Sequence, residues 1–93
     1  MNILTTAEAL EIINRDLQRP ITRQLFHQSI LPLMLERGDA RRLGRDTAVD
    51  GTEIICWAHY VAWRQHKIDA GELSSKHPYT IDEFWELNYG DLD

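Results

Sequence analysis

Three arginines surround one glycine near the middle of the chain. Arg41, Arg42 and Arg45 flank Gly44 in the stretch GDARRLGRDTAVDGTEI, which covers residues 38–54. The guanidinium group presents its N–H donors in a fixed plane, and this geometry matches the oxygens of phosphate and carboxylate groups. The stretch could therefore bind an anion, although long arginine side chains also cover the apolar surface of small domains without any ligand.

The other residues that could do chemistry form weaker patterns. Cys56, His59 and His66 lie close together in sequence, but a metal site needs three or four converging ligands. Cys56 with a histidine could form a thiol nucleophile, yet no third residue follows a pattern that would orient the pair. The sequence has no glycine-rich loop of the kind that holds phosphates. We therefore expect no enzyme activity, no metal and no cofactor.

The charges are unevenly distributed along the chain, which has 93 residues and a formal net charge of -5. Residues 15–45 hold seven arginines against three acidic residues, a net charge of +4, whereas residues 46–93 have a net charge of -7. Asymmetry of this kind can mark a polyanion-binding face on an otherwise acidic body.

The length of the chain corresponds to one small domain, with too little buried volume for an enclosed active-site cleft.

The composition bears on the compartment as well. Cys56 is the single cysteine, so an internal disulfide cannot form and nothing points to an oxidising compartment. The N-terminus lacks a basic segment followed by a long apolar run, so we expect no secretory signal. Uncharged stretches such as IICWAHYVAW, which has ten residues, are short, whereas a membrane span needs about 20. We expect a soluble, cytoplasmic protein that does not interact with a membrane.

A capping box predicts the first helix. Thr5 is followed three residues later by Glu8, so that each side chain can accept a hydrogen bond from the other residue's backbone N–H. Apolar residues then follow at helical spacing. Pro20 should end the segment, because the residue before a proline is pushed out of the helical region.

The second helix is predicted in the segment ITRQLFHQSIL, residues 21–31, with Thr22 as its N-cap. One face is mainly apolar, and the opposite face is polar. The polar face contains Arg23, Gln24, His27 and Gln28. Pro32 should break or kink the helix, and Gly38 should end the short turn that follows.

Two short alternating segments, 40–43 and 47–50, predict a two-stranded hairpin that turns at Gly44. Thr52 should then cap a long third helix, which runs to Gly71 and carries a broad apolar surface. A surface of this breadth indicates contact on more than one side, either with the C-terminal helix or with a second copy of the chain.

A short C-terminal helix completes the predicted elements. Thr80 and Glu83 repeat the capping-box spacing after a polar linker, and the apolar residues that follow can fold this helix back onto the third helix. We expect residues 1–71 to form the main domain and residues 72–93 to form the linker, the short helix and an acidic tail packed against it.

These elements and their motifs resemble the winged helix-turn-helix domains of the MerR-like and excisionase-like DNA-binding proteins. In those families the chain opens with LTxxEAA, and here it opens with LTTAEAL. A Ser/Thr–Arg pair begins their second helix, matched here by Thr22 and Arg23. Their wing has arginines about a glycine, then acidic residues, a hydrophobic residue and a tryptophan, and this chain has RLGRDTAVDGTEIICW. The resemblance covers about residues 3–64.

The resemblance implies a mainly α fold with three main helices, a small two-stranded wing and an extra short C-terminal helix. It also implies double-stranded DNA as the partner, with the second helix in the major groove. There Arg23 would contact guanine, and Gln24 or Gln28 adenine, because their paired groups match those base edges. His27 would contact a phosphate or a base, and Thr22 a phosphate.

The resemblance assigns the wing to the DNA backbone. Arg41, Arg42 and Arg45 would hold phosphates or the minor groove. One domain contacts few phosphates, so we also expect a homodimer through the third helix and the C-terminal helix, or a partner protein. The implied role is that of a small transcriptional regulator or an accessory factor of a mobile element.

A second function stays open because of the charge. The acidic residues of 46–93 repel phosphate at long range, which favours a protein-interaction module that keeps the winged-helix shape, no longer binds DNA and engages a basic protein partner. The positions of the arginines in space distinguish the two functions. Arginines on one face, clear of the C-terminal acids, favour DNA; burial of the second helix under the C-terminal helix or a subunit interface favours protein interaction.

Overall fold

Helices and one small antiparallel sheet alternate along the chain, which the computed structural model describes for residues 2–89. The mainly α class predicted from the sequence is confirmed. The acidic tail predicted at the end of the chain lies outside the described residues. The elements in chain order are β1 (Ile3–Leu4), α1 (Thr6–Asn14), α2 (Arg23–Leu25), a π-helical segment (Phe26–Ile30), α3 (Leu31–Arg37), β2 (Ala40–Leu43), β3 (Asp46–Asp50), α4 (Ile54–Asp69) and α5 (Asp82–Tyr89).

The predicted capping box at the start of α1 is confirmed. The Thr5 hydroxyl accepts the Glu8 N–H at 3.1 Å, and the Glu8 carboxylate accepts the Thr5 N–H at 2.9 Å. These hydrogen bonds from Thr5, above all the one from its backbone, lower the pKa of Glu8. The helix ends at Asn14, well before Pro20, where the sequence placed its end. The Asn14 side chain instead exchanges two hydrogen bonds with the backbone of Ile21, and so closes the loop to the next helix.

The sequence predicts that Pro32 breaks or kinks the second helix; the helix does not break there, and the turn before Pro32 widens instead. α2, the π-helical segment and α3 follow one another without interruption, and we call this continuous stretch, residues 23–37, the helical run. The Leu31 N–H donates to the Phe26 carbonyl, so the turn before Pro32 is one residue wider than an α-helical turn. The wider turn accommodates a residue that has no N–H and would otherwise crowd the preceding carbonyls.

The predicted end of this helix at Gly38 is confirmed. Gly38 has φ +81°, and its N–H donates to the Leu35 carbonyl at 3.2 Å. The next N–H, of Asp39, donates to the Met34 carbonyl at 2.8 Å. This pair of bonds is the Schellman arrangement, which turns the chain sharply from the helical run into β2.

The sheet has the strand order β1-β3-β2 and contains the predicted hairpin together with an edge strand, β1, that the sequence did not predict. β2 and β3 pair with Ala40 opposite Val49 and Leu43 opposite Asp46, so the strand begins at Asp46 rather than at residue 47. The predicted Thr52 cap is also wrong. α4 begins at Ile54, and the Thr52 N–H donates to the Asp50 carboxylate at 2.8 Å in the preceding turn.

One apolar core joins all of these elements. It lies between α1, the helical run, the sheet and α4, and Phe84 of α5 contributes to it. Its most fully buried large side chains are Ile13, Phe26, Ile30, Met34, Val49, Ile54, Trp57 and Tyr60.

The C-terminal helix folds back onto α4, as predicted. The ring of Phe84 lies 5.8 Å from that of Tyr60 and 5.6 Å from that of Trp63. α5 therefore covers the part of α4 that carries Tyr60 and Trp63. The helix begins at Asp82, one residue later than a Thr80 N-cap would place it, and Glu83 lies 3.5 Å from the imidazole of His77.

A buried arginine, which the sequence did not indicate, holds the linker in place. Arg64 on α4 is 5% exposed and donates to the carbonyls of Ser75 and His77. Its guanidinium also lies 3.8 Å from the centre of the Tyr79 ring. These contacts fix residues 75–79 against α4, and with them the approach to α5.

Candidate nucleic-acid interface

The helical run presents its predicted polar face to solvent. Thr22 is the N-cap, as predicted, because its hydroxyl accepts the Leu25 N–H at 3.0 Å. Phe26 and Ile30 point into the core, which leaves the other side of the run exposed. The exposed residues are Arg23, Gln24, His27 and Gln28. Neither α5 nor the sheet buries these four side chains.

The hairpin separates its arginines by face. Gly44 has φ +65° at the first position of a two-residue turn, which is typical of a type II′ hairpin. Alternation along β2 then places Arg42 on the same face as the buried Ala40, and Arg41 on the opposite face. All three arginines of the hairpin are exposed, but Arg41 does not point in the same direction as Arg42.

One groove brings the helical run and the hairpin together. Arg23 and His27 line it from the run, and Arg42 and Arg45 line it from the hairpin. Its floor includes Thr5 and Thr6, where α1 begins, and its volume is about 630 Å³. We call it the hairpin groove. An adjoining hollow of about 600 Å³ between α1 and the run shares Arg23 and His27 and adds Arg15 to the same side of the molecule.

Two predicted site residues line other hollows. Arg41 lines a hollow on the opposite face of the sheet, beside Asp39 and Asp50. Gln28 lines a groove formed with the linker, next to Lys76. Of the predicted site residues, Arg23, His27, Arg42 and Arg45 line the hairpin groove, whereas Thr22, Gln24, Gln28 and Arg41 do not.

The charges of the hairpin groove are not neutralised within the described residues. Arg23, Arg42 and Arg45 form no ion pair there. Asp46 lines the groove and Glu11 lines the adjoining hollow, so the positive residues outnumber the acidic ones. This side of the molecule is suited to an extended anion, because arginine donors converge there from two separate elements.

Two other arginines of residues 15–45, Arg19 and Arg37, have partners outside the groove. Arg19 makes two hydrogen bonds with Asp69, at 2.9 and 3.0 Å, and these bonds raise its pKa. Arg37 lies 3.6 Å from Asp82 and 4.8 Å from the centre of the Trp85 ring. The basic segment thus divides into arginines that hold the fold and arginines that remain available to a ligand.

The sequence did not indicate the contribution of Arg15, Thr5 and Thr6 to this side of the molecule. Arg15 follows α1 directly, and its position beside Arg23 depends on how α1 packs against the run. No local pattern carries that information. A helical-wheel argument on each helix separately could not have found it.

Chemistry of other kinds has little support in the geometry. Within residues 2–89, no group of three or more His, Cys, Asp or Glu side chains is placed to hold a metal ion. Cys56 is half-buried on α4. None of the helices in the same range is both long enough and apolar enough to cross a membrane.

Comparisons of the chain with protein-family models, with curated proteins and with solved structures found no match. We therefore infer function from the hairpin groove itself: from the side chains that line it, from those that lack ion-pair partners in the described residues, and from the ligand that fits them.

Proposed function

We propose that the protein binds double-stranded DNA as a winged helix-turn-helix domain, with the polar face of the helical run in the major groove and the hairpin as a wing beside it. The single observation that carries this proposal is the hairpin groove. There Arg23 and His27 from the run and Arg42 and Arg45 from the hairpin line one surface, and its arginines have no ion-pair partner in the described part of the chain.

The first turn of the helical run suits base contacts. Arg23 and Gln24 come directly after the Thr22 cap, where a recognition helix places the residues that contact base edges. A bidentate arginine matches the O6 and N7 acceptors of guanine, and a glutamine matches N6 and N7 of adenine. The exposed N–H groups of the same turn favour a nearby phosphate.

The acidic half of the chain is compatible with this proposal. Asp69, Glu72 and Asp82 form ion pairs with Arg19, Lys67 and Arg37. Glu83 lies against His77. Of the acids after residue 45, Asp46 is the one that lines the hairpin groove. Repulsion of DNA by the remaining acids acts at long range and is screened beyond about 8 Å at physiological salt.

A single domain of this size covers few phosphates, so the proposal includes a homodimer or a partner protein. α5 occupies the Tyr60 and Trp63 flank of α4, which leaves other apolar residues for such a contact. Ile55 on α4 is 50% exposed and Leu87 on α5 is 72% exposed. The biological role that fits best is that of a transcriptional regulator or an accessory factor of a mobile element.

A protein-interaction module is the second candidate function. The observation in its favour is the net charge of -7 over residues 46–93, together with the exposure of Leu87 on an acidic helix. A basic protein partner would complement that surface. In this case the arginines of the hairpin groove would only cover the core, and DNA affinity would be lost.

The experiment that tests DNA binding is a titration with random duplex DNA at several salt concentrations, followed by fluorescence anisotropy. Each phosphate contact contributes about 0.9 to the slope of log affinity against log salt. The three arginines of the hairpin groove predict a slope of about -2.7 for one protomer. Absence of binding at about 50 mM salt, or binding that salt does not weaken, would overturn the proposal.

A further inference from the structure

We propose that a groove between the helical run and the linker binds the phosphate group of a small molecule. The groove shares no lining residue with the hairpin groove, and the proposal does not depend on DNA binding. We call it the linker groove. Its volume is about 460 Å³, which lies within the range of about 300–1,000 Å³ that is usual for small-molecule sites.

A buried arginine without a counter-ion lies at this groove. Arg64 lines the groove from α4 and is 5% exposed. Its hydrogen bonds use Nη2, which donates to the neutral carbonyls of Ser75 and His77, whereas Nε has no acceptor. Within residues 2–89 the guanidinium forms no ion pair. Burying a charge without an opposite charge is costly, so a bound anion would supply what the surroundings of Arg64 lack.

The other polar residues of the linker groove suit the same ligand. Lys76 is exposed on the linker side and has no ion-pair partner in the described part of the chain. Ser29 and Gln28 line the opposite side, and a hydroxyl and an amide can each donate to an anion. A phosphate monoester has three acceptor oxygens and about two negative charges at neutral pH. Two cations together with neutral donors on a second wall match that group.

Acidic side chains are missing from the lining of this groove, as far as residues 2–89 are concerned. The acids at the start of α5 lie against other residues: Asp82 is 3.6 Å from Arg37, and Glu83 is 3.5 Å from His77. The linker groove therefore favours an anion although the whole chain is acidic. Pro32 and Pro78 add apolar surface to the lining, which can hold the organic part of a phosphate monoester.

A phosphate in this position would connect two separate parts of the fold. Ser29 belongs to the helical run, whereas Arg64 and Lys76 belong to α4 and the linker. A ligand that contacts both walls binds the folded chain and not the unfolded one, so it stabilises the protein by mass action. At about ten times its dissociation constant, such a ligand should raise the midpoint of thermal unfolding by about 5 °C or more.

The test measures this midpoint in a phosphate-free buffer, with sodium chloride added to hold the ionic strength constant. Inorganic phosphate is the first probe, phenyl phosphate represents a monoester with an apolar body, and acetate represents a carboxylate. Isothermal titration calorimetry gives the dissociation constants. We expect both phosphates to bind and to raise the midpoint, and acetate to do neither. Tighter binding of phenyl phosphate would identify a monoester as the ligand, and equal binding would identify the free ion; both results support the site.

Variants on the two walls locate the site. Lys76→Ala should weaken phosphate binding about tenfold, because a charged donor is lost, and Ser29→Ala should weaken it about threefold. Since Lys76 forms no ion pair in the described residues, its replacement should leave the midpoint without phosphate unchanged. Lys67→Ala is the matched control. It removes the same charge from α4, outside the groove, and should change phosphate affinity by less than about twofold.

Three results would overturn the proposal. The first is a midpoint that phosphate raises no more than chloride does, and the second is an equal effect of acetate, which would show a site for any anion. The third is equal weakening by Lys67→Ala and Lys76→Ala. If phosphate fails to bind but Lys76→Ala reduces the salt slope for duplex DNA, the groove contacts DNA and the small ligand is excluded. Failure of the protein to bind duplex DNA would leave this proposal intact.

Discussion

The indole Nε1 of Trp57 donates a hydrogen bond of 2.8 Å to a carboxylate oxygen of Asp39. Trp57 is fully buried in the first turn of α4. The backbone of Asp39 meanwhile donates to Met34 at the end of the helical run and accepts from Asp50 at the end of β3, each at 2.8 Å. Asp39 therefore connects the run, the hairpin and α4, and these contacts determine where the hairpin lies relative to the polar face of the run.

Replacing Asp39 tests this connection. Asp39→Ala should lower the free energy of unfolding by about 1–3 kcal/mol, because the buried indole N–H loses its acceptor. Asp39→Asn retains an oxygen acceptor and should lose less. Urea unfolding followed by tryptophan fluorescence measures both variants. Equal losses for the two variants would show that the indole hydrogen bond contributes little.

The parts of the fold that depend on local chemistry could be predicted from the sequence. Thr5 and Thr22 each precede a helix, and the backbone N–H three residues later donates a hydrogen bond to each hydroxyl. Both residues therefore form the predicted N-caps. Gly38, Gly44 and Gly71 all have positive φ, a backbone conformation that other residues adopt at a cost. These signals lie within a few residues of the feature they predict.

The predictions that failed concern features set by contacts between distant parts of the chain. Pro32 remains inside a helix because the preceding turn widens, and the sequence contains no sign of that turn. Arg64 looks like an ordinary surface residue of a long helix, and it is buried only because residues 75–79 return across it. The strand register determines the face on which Arg41 and Arg42 lie. The groove that Arg42 and Arg45 share with Arg23 depends on how the helical run packs beside the hairpin.

Arg64 should be more important to stability than its charge indicates. Arg64→Met removes the donor to the Ser75 and His77 carbonyls and the contact with Tyr79, and should destabilise the fold by about 2 kcal/mol or more. Limited proteolysis should then cut the linker sooner. Lys67→Met is the matched control, because Lys67 pairs with Glu72 near the surface, and its loss should cost less than about 1 kcal/mol. Similar losses would contradict the role assigned to Arg64.

Because Tyr60 is buried, we expect the folded protein to lose stability against unfolding at alkaline pH. Burial raises the pKa of Tyr60 above its usual value of about 10, while the hydrogen bond from the Thr80 N–H opposes this shift. Protonated Tyr60 contributes its full stabilisation at pH values below the pKa that this tyrosine has in the unfolded chain. That contribution is lost as the pH rises through the higher pKa of Tyr60 in the folded protein. Tyr60→Phe should therefore show a smaller fall in urea midpoint between about pH 9 and pH 11. Parallel curves for the two proteins would contradict this account.

Gly51 is required by the close approach of Asn2, the residue before β1. A Cβ at this position would lie 2.7 Å from Cγ and 2.9 Å from the carbonyl oxygen of Asn2, which accepts the Gly51 N–H. Gly51→Ala should destabilise the protein by about 1–3 kcal/mol in thermal or urea unfolding. Adding Asn2→Ala should recover part of that loss by relieving the side-chain clash, while the contact with the carbonyl stays. A Gly51→Ala variant as stable as the parent would show that β1 shifts freely.

The most direct test of the central claim compares salt slopes for duplex DNA among hairpin variants. Arg42 and Arg45 line the hairpin groove, whereas Arg41 lies on the opposite face beside Asp39 and Asp50. The double variant Arg42→Ala, Arg45→Ala should reduce the magnitude of the slope by about 1.8, and Arg41→Ala should change it by less than about 0.5. A larger change for Arg41→Ala than for the double variant, or no change for either, would contradict DNA binding through this groove.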